Sequence, residues 1–241
     1  MSEIFENISI DMIYNRPKQS LQSWRDELKN VVSFPINHMS LYELIVEDDT
    51  PIKKSIDSGI LPSTDKSDRF FEETVSLARR CGFEMYEVSN FAKIPHTKDI
   101  IANDGDIPYG RHNVSYWKYE DYYGVGPGSH SRARCGERKV AIAQIVNNKD
   151  WLQWAKNPVF DMEILNEYDE FKERILMGLR SKWGVNFGSF SENVKGKYDL
   201  QNKLQNLAKN SYIMVDDGVV VLSHEGLLRL NLVVRYLVGS V

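Results

Sequence analysis

The chain is poor in cysteine, lacks any long apolar run and carries no excess of positive charge. Each shortage removes a class of function. Only Cys81 and Cys135 occur. Neither sits in a paired-cysteine motif, so a structural zinc site cannot be built from cysteine alone, and both read as reduced thiols. No apolar stretch approaches the ~18–20 residues of a membrane span, so an integral membrane protein is not expected. The first residues, Met1-Ser2-Glu3-Ile4-Phe5-Glu6, hold neither a basic region nor an apolar stretch. No secretory signal is read there, and a cytoplasmic location is expected. The formal net charge of −4 argues against generic nucleic-acid binding, which needs a basic face.

What is present describes a globular protein. Hydrophobic residues make up 42% and charged residues 27% of 241 residues, enough for one large domain or two small ones. Ile8 to Ile13 alternates as a strand does, with Asp11 near its C-terminal end. Ser20 is placed to cap a helix whose Leu21, Trp24, Leu28 and Val31 share a face, and Met39 to Val46 reads as a second strand. Strand, helix, strand in that order predicts a βαβ unit with parallel strands. A short helix is expected from Thr50-Pro51 to near Gly59. A longer one is expected from Thr64 or Asp65 to Cys81, closed by Gly82, with Cys81 in its apolar register. Residues 84–88 read as a third strand whose exit carries Glu87, Ser89 and Asn90. Residues 93–110 read as a long polar loop.

Helical periodicity returns near Asp150, then around Phe171, Ile175 and Leu179, and again around Leu200, Leu204 and Leu207. Asp216-Asp217-Gly218 between two valine-rich runs predicts a hairpin. Ser223 is placed to cap a last helix carrying Leu227, Leu230, Val233, Val234 and Leu237. Helices, a hairpin and a final helix suggest a winged-helix-like unit. Its basic residues Lys203, Lys209, Arg229 and Arg235 are opposed by Asp216, Asp217 and Glu225, so a nucleic-acid-binding module is a minor reading.

Two boxes near the middle carry most of the chemistry. Arg111-His112-Asn113-Val114-Ser115-Tyr116-Trp117 packs a histidine, an amide and two aromatics into seven residues. At strand or loop spacing the aromatics could wall a flat ligand, with His112 offering a polar or metal-binding atom. A histidine that merely braces the loop is the competing reading. Gly124-Val125-Gly126-Pro127-Gly128-Ser129-His130-Ser131 follows. It fails the dinucleotide fingerprint because Ser129 stands at the last glycine position. A tight glycine crossing beside a cofactor, or a plain bend, fits better. Asp11, at the end of a parallel strand, is placed to accept from ribose hydroxyls or simply to lie on the surface. Tyr119, Tyr122 and Tyr123 read as core packing.

In order, these segments resemble a known family. Ser9-Ile10-Asp11-Met12-Ile13-Tyr14 with Pro17-Lys18-Gln19, then Met39 to Leu44, then Gly82 to Ala92, then the two boxes, look like the oxygen-independent coproporphyrinogen III oxidase-like radical SAM proteins. The His-Asn-x-x-Tyr-Trp and Gly-x-Gly-Pro-Gly-x-His-Ser boxes are most similar to its heme chaperone branch. The resemblance implies an α/β fold: the C-terminal part of a partial (β/α)6 barrel over residues 1–148, then a smaller α+β winged-helix-like domain over 149–241. It implies that Asp11, Ile45 and His130 border an S-adenosylmethionine pocket. It further implies that His112, Asn113, Tyr116 and Trp117 handle heme, with Arg111 suited to porphyrin propionates. Heme or porphyrin would be the cargo and heme-acceptor proteins the partners. Decarboxylation of coproporphyrinogen III is the alternative activity.

This sequence also departs from the family. Relatives bind a [4Fe–4S] cluster through a Cys-x3-Cys-x2-Cys run that is not among these residues, and Asn15-Arg16 stands where relatives usually have Gly-Leu. The expectation is therefore a truncated or split form that does not perform radical chemistry by itself.

Overall fold

The computed structural model describes residues 4–46, 64–95, 105, 107–144, 156 and 159–239, with only the backbone for 64–66. The helix expected after Thr50, most of the loop in 93–110 and the periodicity near Asp150 lie outside the described residues. The chain divides into two compact units, residues 1–110 and 111–241. The fold is mixed α/β.

In the first unit, β1 (Ser9–Tyr14), α1 (Leu21–Val32) and β2 (His38–Glu43) form the expected βαβ unit. The two strands are parallel, from Ser9 opposite His38 to Tyr14 opposite Glu43. Ser20 caps α1 by accepting from the Ser23 amide at 3.0 Å. Helix α2 (Thr64–Arg80) ends where Gly82 adopts φ 82°, a turn that favours glycine.

Asp11 is the third residue of β1, mid-strand rather than near its C-terminal end, and β2 ends three residues earlier than its apolar pattern suggested. The third strand, β3 (Phe83–Glu87), turns straight back into β4 (Asn90–Lys93). β4 pairs antiparallel with both β3 and β2, giving the order β1-β2-β4-β3. The polar strand exit is thus a hairpin turn: the Glu87 carboxylate accepts from the Ser89 amide at 3.1 Å and from Asn90 Nδ2 at 2.5 Å. Glu87 and Asn90 are both buried. A carboxylate that folds its own turn leaves no mark in hydrophobic periodicity, so the sequence pattern does not show the reversal.

Helices α1 and α2 supply the core with Trp24, Leu28, Phe70 and Leu77, packed with Met39 and Phe91 of the sheet. Trp24 is fully buried, so its indole N–H needs a protein acceptor. It donates to Thr74 Oγ1 at 2.8 Å, and Thr74 donates in turn to the Phe70 carbonyl at 2.6 Å.

A second buried polar chain crosses the sheet. His38 lies hydrogen-bonded between Ser9 Oγ and the Tyr86 hydroxyl, at 2.7 Å each. The Gly110 amide donates to that same hydroxyl at 3.1 Å. Burial lowers the His38 pKa, partly opposed by the nearby Asp11 charge.

In the second unit, β5 (His130–Cys135), β6 (Arg138–Gln144) and β7 (Phe160–Ile164) form an antiparallel sheet in that order. Helices α4 (Glu167–Gly178), α5 (Glu192–Lys197) and α6 (Leu200–Lys209) come later, after the seven-residue α3 (Arg111–Trp117). Strands β8 (Val185–Asn186), β9 (Ile213–Asp216) and β10 (Val219–Leu222) make a second small sheet. The predicted β9–β10 hairpin closes through Asp217 at φ 44° and Gly218 at φ 77°. Positive φ at both positions is the turn whose twist matches the strands.

Ser223 caps as expected, accepting from the Gly226 amide. The last helix, however, is two: α7 (His224–Leu228) and α8 (Leu230–Val238), broken at Arg229. Gly226 packs so tightly on the Tyr212 carbonyl that a Cβ there would sit 2.0 Å from its oxygen. Phe171, Ile175, Leu207, Val220, Val233 and Leu237 are buried in this unit.

Thr74→Val removes the acceptor of a fully buried indole N–H, and is expected to cost about 1–3 kcal/mol in urea unfolding. In Trp24→Phe/Thr74→Val, which leaves no stranded donor, the loss is expected to be smaller than the sum of the single losses. His38 protonates near pH ~6.5 when unfolded and at lower pH when folded. Its contribution is therefore complete above ~6.5 and is lost as pH falls toward the folded value. The melting temperature should drop on acidification, and His38→Gln should flatten that slope.

Candidate functional site

Residues 111–117, expected at strand or loop spacing, form helix α3. No glycine or proline interrupts them, and the turn that ends them fits a helix C-terminus. The Glu120 amide returns to the Ser115 carbonyl at 2.9 Å and the Tyr119 amide to the Tyr116 carbonyl at 3.0 Å. Tyr119 takes the left-handed position, φ 58°. A tyrosine there is strained relative to glycine, so something else must hold it.

Helical spacing splits the box into two faces about 100° apart. His112 and Tyr116, four residues apart, lie together with rings edge to face at 4.7 Å. His112 is exposed and Tyr116 half-buried. Tyr116 then meets Tyr122, ring centroids 4.3 Å apart. Asn113 and Trp117 occupy the other face. There the Arg180 guanidinium lies 5.2 Å from the Trp117 ring centroid, and the Trp117 indole nitrogen is buried without a hydrogen-bond partner among the described residues. The box therefore pairs histidine with tyrosine and asparagine with tryptophan, rather than forming one wall.

The turn after α3 is clamped by residues that the motif does not contain. Lys139 of β6 has a side chain only 1% exposed. Its ammonium donates to the carbonyls of Tyr119 at 2.5 Å and Glu120 at 3.3 Å, and pairs with Asp121 at 3.2 Å. It also lies 3.8 Å from the Tyr119 ring centroid. Burial lowers the Lys139 pKa against the pull of Asp121.

Tyr119 donates its hydroxyl to Glu173 of α4 at 2.6 Å, and Arg132 of β5 forks onto the same carboxylate at 2.7–3.1 Å. Hydrogen bonding to Glu173 raises the Arg132 pKa. Burial, then Glu173, push the Tyr119 phenol well above its ordinary value. In the sequence Lys139 looks like a surface residue of an alternating strand. Only the tertiary packing buries it, and no local signal would have found it.

In the glycine box, Gly124 is required by the chain itself. A Cβ there would come within 2.3 Å of the His130 carbonyl oxygen. Its amide donates to Ser131 Oγ at 2.9 Å. Gly126 and Gly128 take positive φ, and the Ser129 hydroxyl donates to the Gly126 carbonyl at 2.7 Å. His130 begins β5 and is exposed. Asp11 and Ile45 belong to the first unit and His130 to the second. Asp11 shares a strand face with Ser9 and Ile13, and accepts no hydrogen bond from a described residue. Ile45, past the end of β2, is 81% exposed. The residues present do not fit a [4Fe–4S] cluster. Three thiolates are needed and the sequence has two, Cys81 half-buried and Cys135 exposed. Among the described residues no group of three or more His, Cys, Asp or Glu side chains could hold a metal ion, and no helix is long and apolar enough to cross a membrane.

No protein-family model matches the chain. It is 28% identical over 240 residues to the heme chaperone HemW of Bacillus subtilis, an alignment covering 98% of this chain and 60% of that protein. It is 26% identical to the mitochondrial radical S-adenosyl methionine domain-containing protein 1 of Danio rerio, over 93% of this chain and 51% of that protein. Its fold matches coproporphyrinogen III oxidase (HemN) from Escherichia coli, a radical SAM enzyme, with a TM-score of 0.68 at 17% identity. That match covers 99% of this chain and 56% of the other. The chain thus spans roughly 50–60% of the length of these proteins. The chain is thus similar in sequence to proteins named heme chaperone HemW and radical S-adenosyl methionine domain-containing protein 1, and in fold to a radical SAM enzyme.

Proposed function

We propose that this chain is the heme-holding part of a heme chaperone, binding heme or free porphyrin on the His112–Tyr116 face and passing it to acceptor proteins. The observation that carries the reading is the exposed His112 imidazole set edge to face on Tyr116, in a homologue of proteins named heme chaperones. An exposed imidazole offers a nitrogen lone pair to heme iron. The neighbouring tyrosine rings offer apolar contact to the macrocycle. Arg111, exposed at the start of α3, is suited to a propionate. Delivery to an acceptor requires ligation that can be released, and an exposed imidazole suits exchange better than an enclosed one.

In this reading residues 1–148 are the later part of a (β/α)6 barrel, and 149–241 a winged-helix-like domain. Asp11 and Ile45 of the first unit border an S-adenosylmethionine site. When bound with its cluster, that cofactor supplies radical chemistry in the family. The three thiolates that hold such a cluster are not among these residues. The nucleic-acid reading gains no support from two of its four cations. Lys203 donates to the Leu237 carbonyl at 3.0 Å and Arg229 pairs with Glu225 at 2.7 Å.

Titrating hemin into the purified protein is expected to shift the Soret band with saturable, one-site binding. His112→Ala should lose the ligation spectrum and weaken binding by about tenfold, corresponding to ~1.4 kcal/mol. No shift with wild-type protein, or an identical shift with His112→Ala, would rule the reading out.

A further inference from the structure

The His112–Tyr116 pair continues into a third ring outside the His-Asn-x-x-Tyr-Trp box. His112, Tyr116 and Tyr122 form a continuous row, with successive centroid distances of 4.7 and 4.3 Å. Tyr122 is half-buried and reaches the row from the other side of the turn that ends α3. Its backbone is fixed to β5 by hydrogen bonds in both directions with Arg132, at 2.7 and 3.0 Å. Between Tyr116 and Tyr122 lies the turn whose carbonyls at 119 and 120 both point at the Lys139 ammonium.

A buried ammonium is expensive, and an apolar side chain of similar volume is often as stable or more so. Here the charge does what an apolar residue could not. It satisfies two carbonyls and Asp121, and lies against the ring of Tyr119, the residue in the strained conformation. Glu173 fixes the far end of that same tyrosine and also takes the Arg132 guanidinium. The strand that carries Tyr122's bridge and the turn that leads into Tyr122 are therefore tied to one carboxylate and one ammonium.

We propose that Tyr122 is the third ligand-contacting ring of the heme-facing row and that Lys139 is the residue that positions it. This rests on the heme-binding reading above. Within it, Tyr122 adds ring area beside Tyr116, and Lys139, which touches no ligand, acts only through the turn.

The test uses the whole chain and hemin, with hydrogen exchange of the ligand-free protein as a readout that does not need heme. Tyr122→Phe keeps the ring and should bind hemin as wild type does. Tyr122→Leu should bind about five- to tenfold more weakly while keeping the His112-dependent Soret position. Lys139→Met keeps an apolar stem without charge. It should speed exchange of the Tyr119 and Glu120 amides, weaken hemin binding severalfold and alter the Soret position; Lys139→Arg should restore most of each. Wild-type affinity in Tyr122→Leu would overturn the role of that ring. Unchanged amide protection and an unchanged spectrum in Lys139→Met would overturn the positioning role. If wild type itself binds no hemin, the ligand reading fails and the ring assignment with it, while the exchange data still decide whether Lys139 holds the turn. Should Lys139→Met fail to fold by circular dichroism, Lys139→Gln takes its place in the exchange measurement.

Discussion

The second unit is organised around one buried ammonium. Lys139 extends from the middle of a three-stranded sheet and ends among backbone carbonyls, a carboxylate and an aromatic ring. Each partner belongs to the segment leading from the histidine-bearing helix to the glycine-rich turn. Without the charge, two carbonyls of a non-helical turn would be left unpaired, and a tyrosine would stand in a conformation that glycine normally takes. Glu173 completes the arrangement by binding Tyr119 and Arg132 together. The position of α3 relative to β5 is thus set by electrostatics as much as by apolar burial.

The first unit is held in a different way. Its helices bury a conventional apolar core, and its polar contacts serve local geometry. Thr74 receives the Trp24 indole, Glu87 folds the β3–β4 turn, and His38 joins Ser9 to Tyr86 across the sheet. The Tyr86 hydroxyl also receives the Gly110 amide, the last residue before the histidine box. A buried histidine used in this way is a structural fastener. Burial favours its neutral form.

Much of this was legible in the sequence where local rules decide the outcome. Ser20, Ser223, Gly82 and Asp217-Gly218 each act through a cap or turn only a few residues long, and each falls where the local pattern places it. The parallel pairing of β1 and β2 likewise follows from order and periodicity. What was not legible depends on distant partners. β4 enters the sheet between β2 and β3 because Glu87 reverses the chain. The last helix breaks at Arg229, in a region where Gly226 is pressed against Tyr212. Lys139 and Glu173 become central to the candidate site only when strand and helix meet. Tyr122 read as core packing, and it does pack, but against Tyr116 on a half-exposed row.

The helical form of the histidine box also changes what its pattern means. In an extended segment His112, Asn113, Tyr116 and Trp117 could be four contributors to one surface. In α3 they are two pairs, each spaced by four residues. One pair is exposed at its histidine and continues into Tyr122. The other carries the tryptophan, whose indole nitrogen is buried and whose ring meets Arg180. The Trp117 side chain as a whole is half-buried. A helix of only seven residues is too short to be stable alone, so α3 depends on tertiary contacts, the Arg180–Trp117 and Tyr116–Tyr122 contacts among them. Glycine in the second box obeys the same logic. Gly124 is needed where the chain crosses the His130 carbonyl, so the box first builds the bend that leads into β5, and any role beside a cofactor is added to that structural requirement.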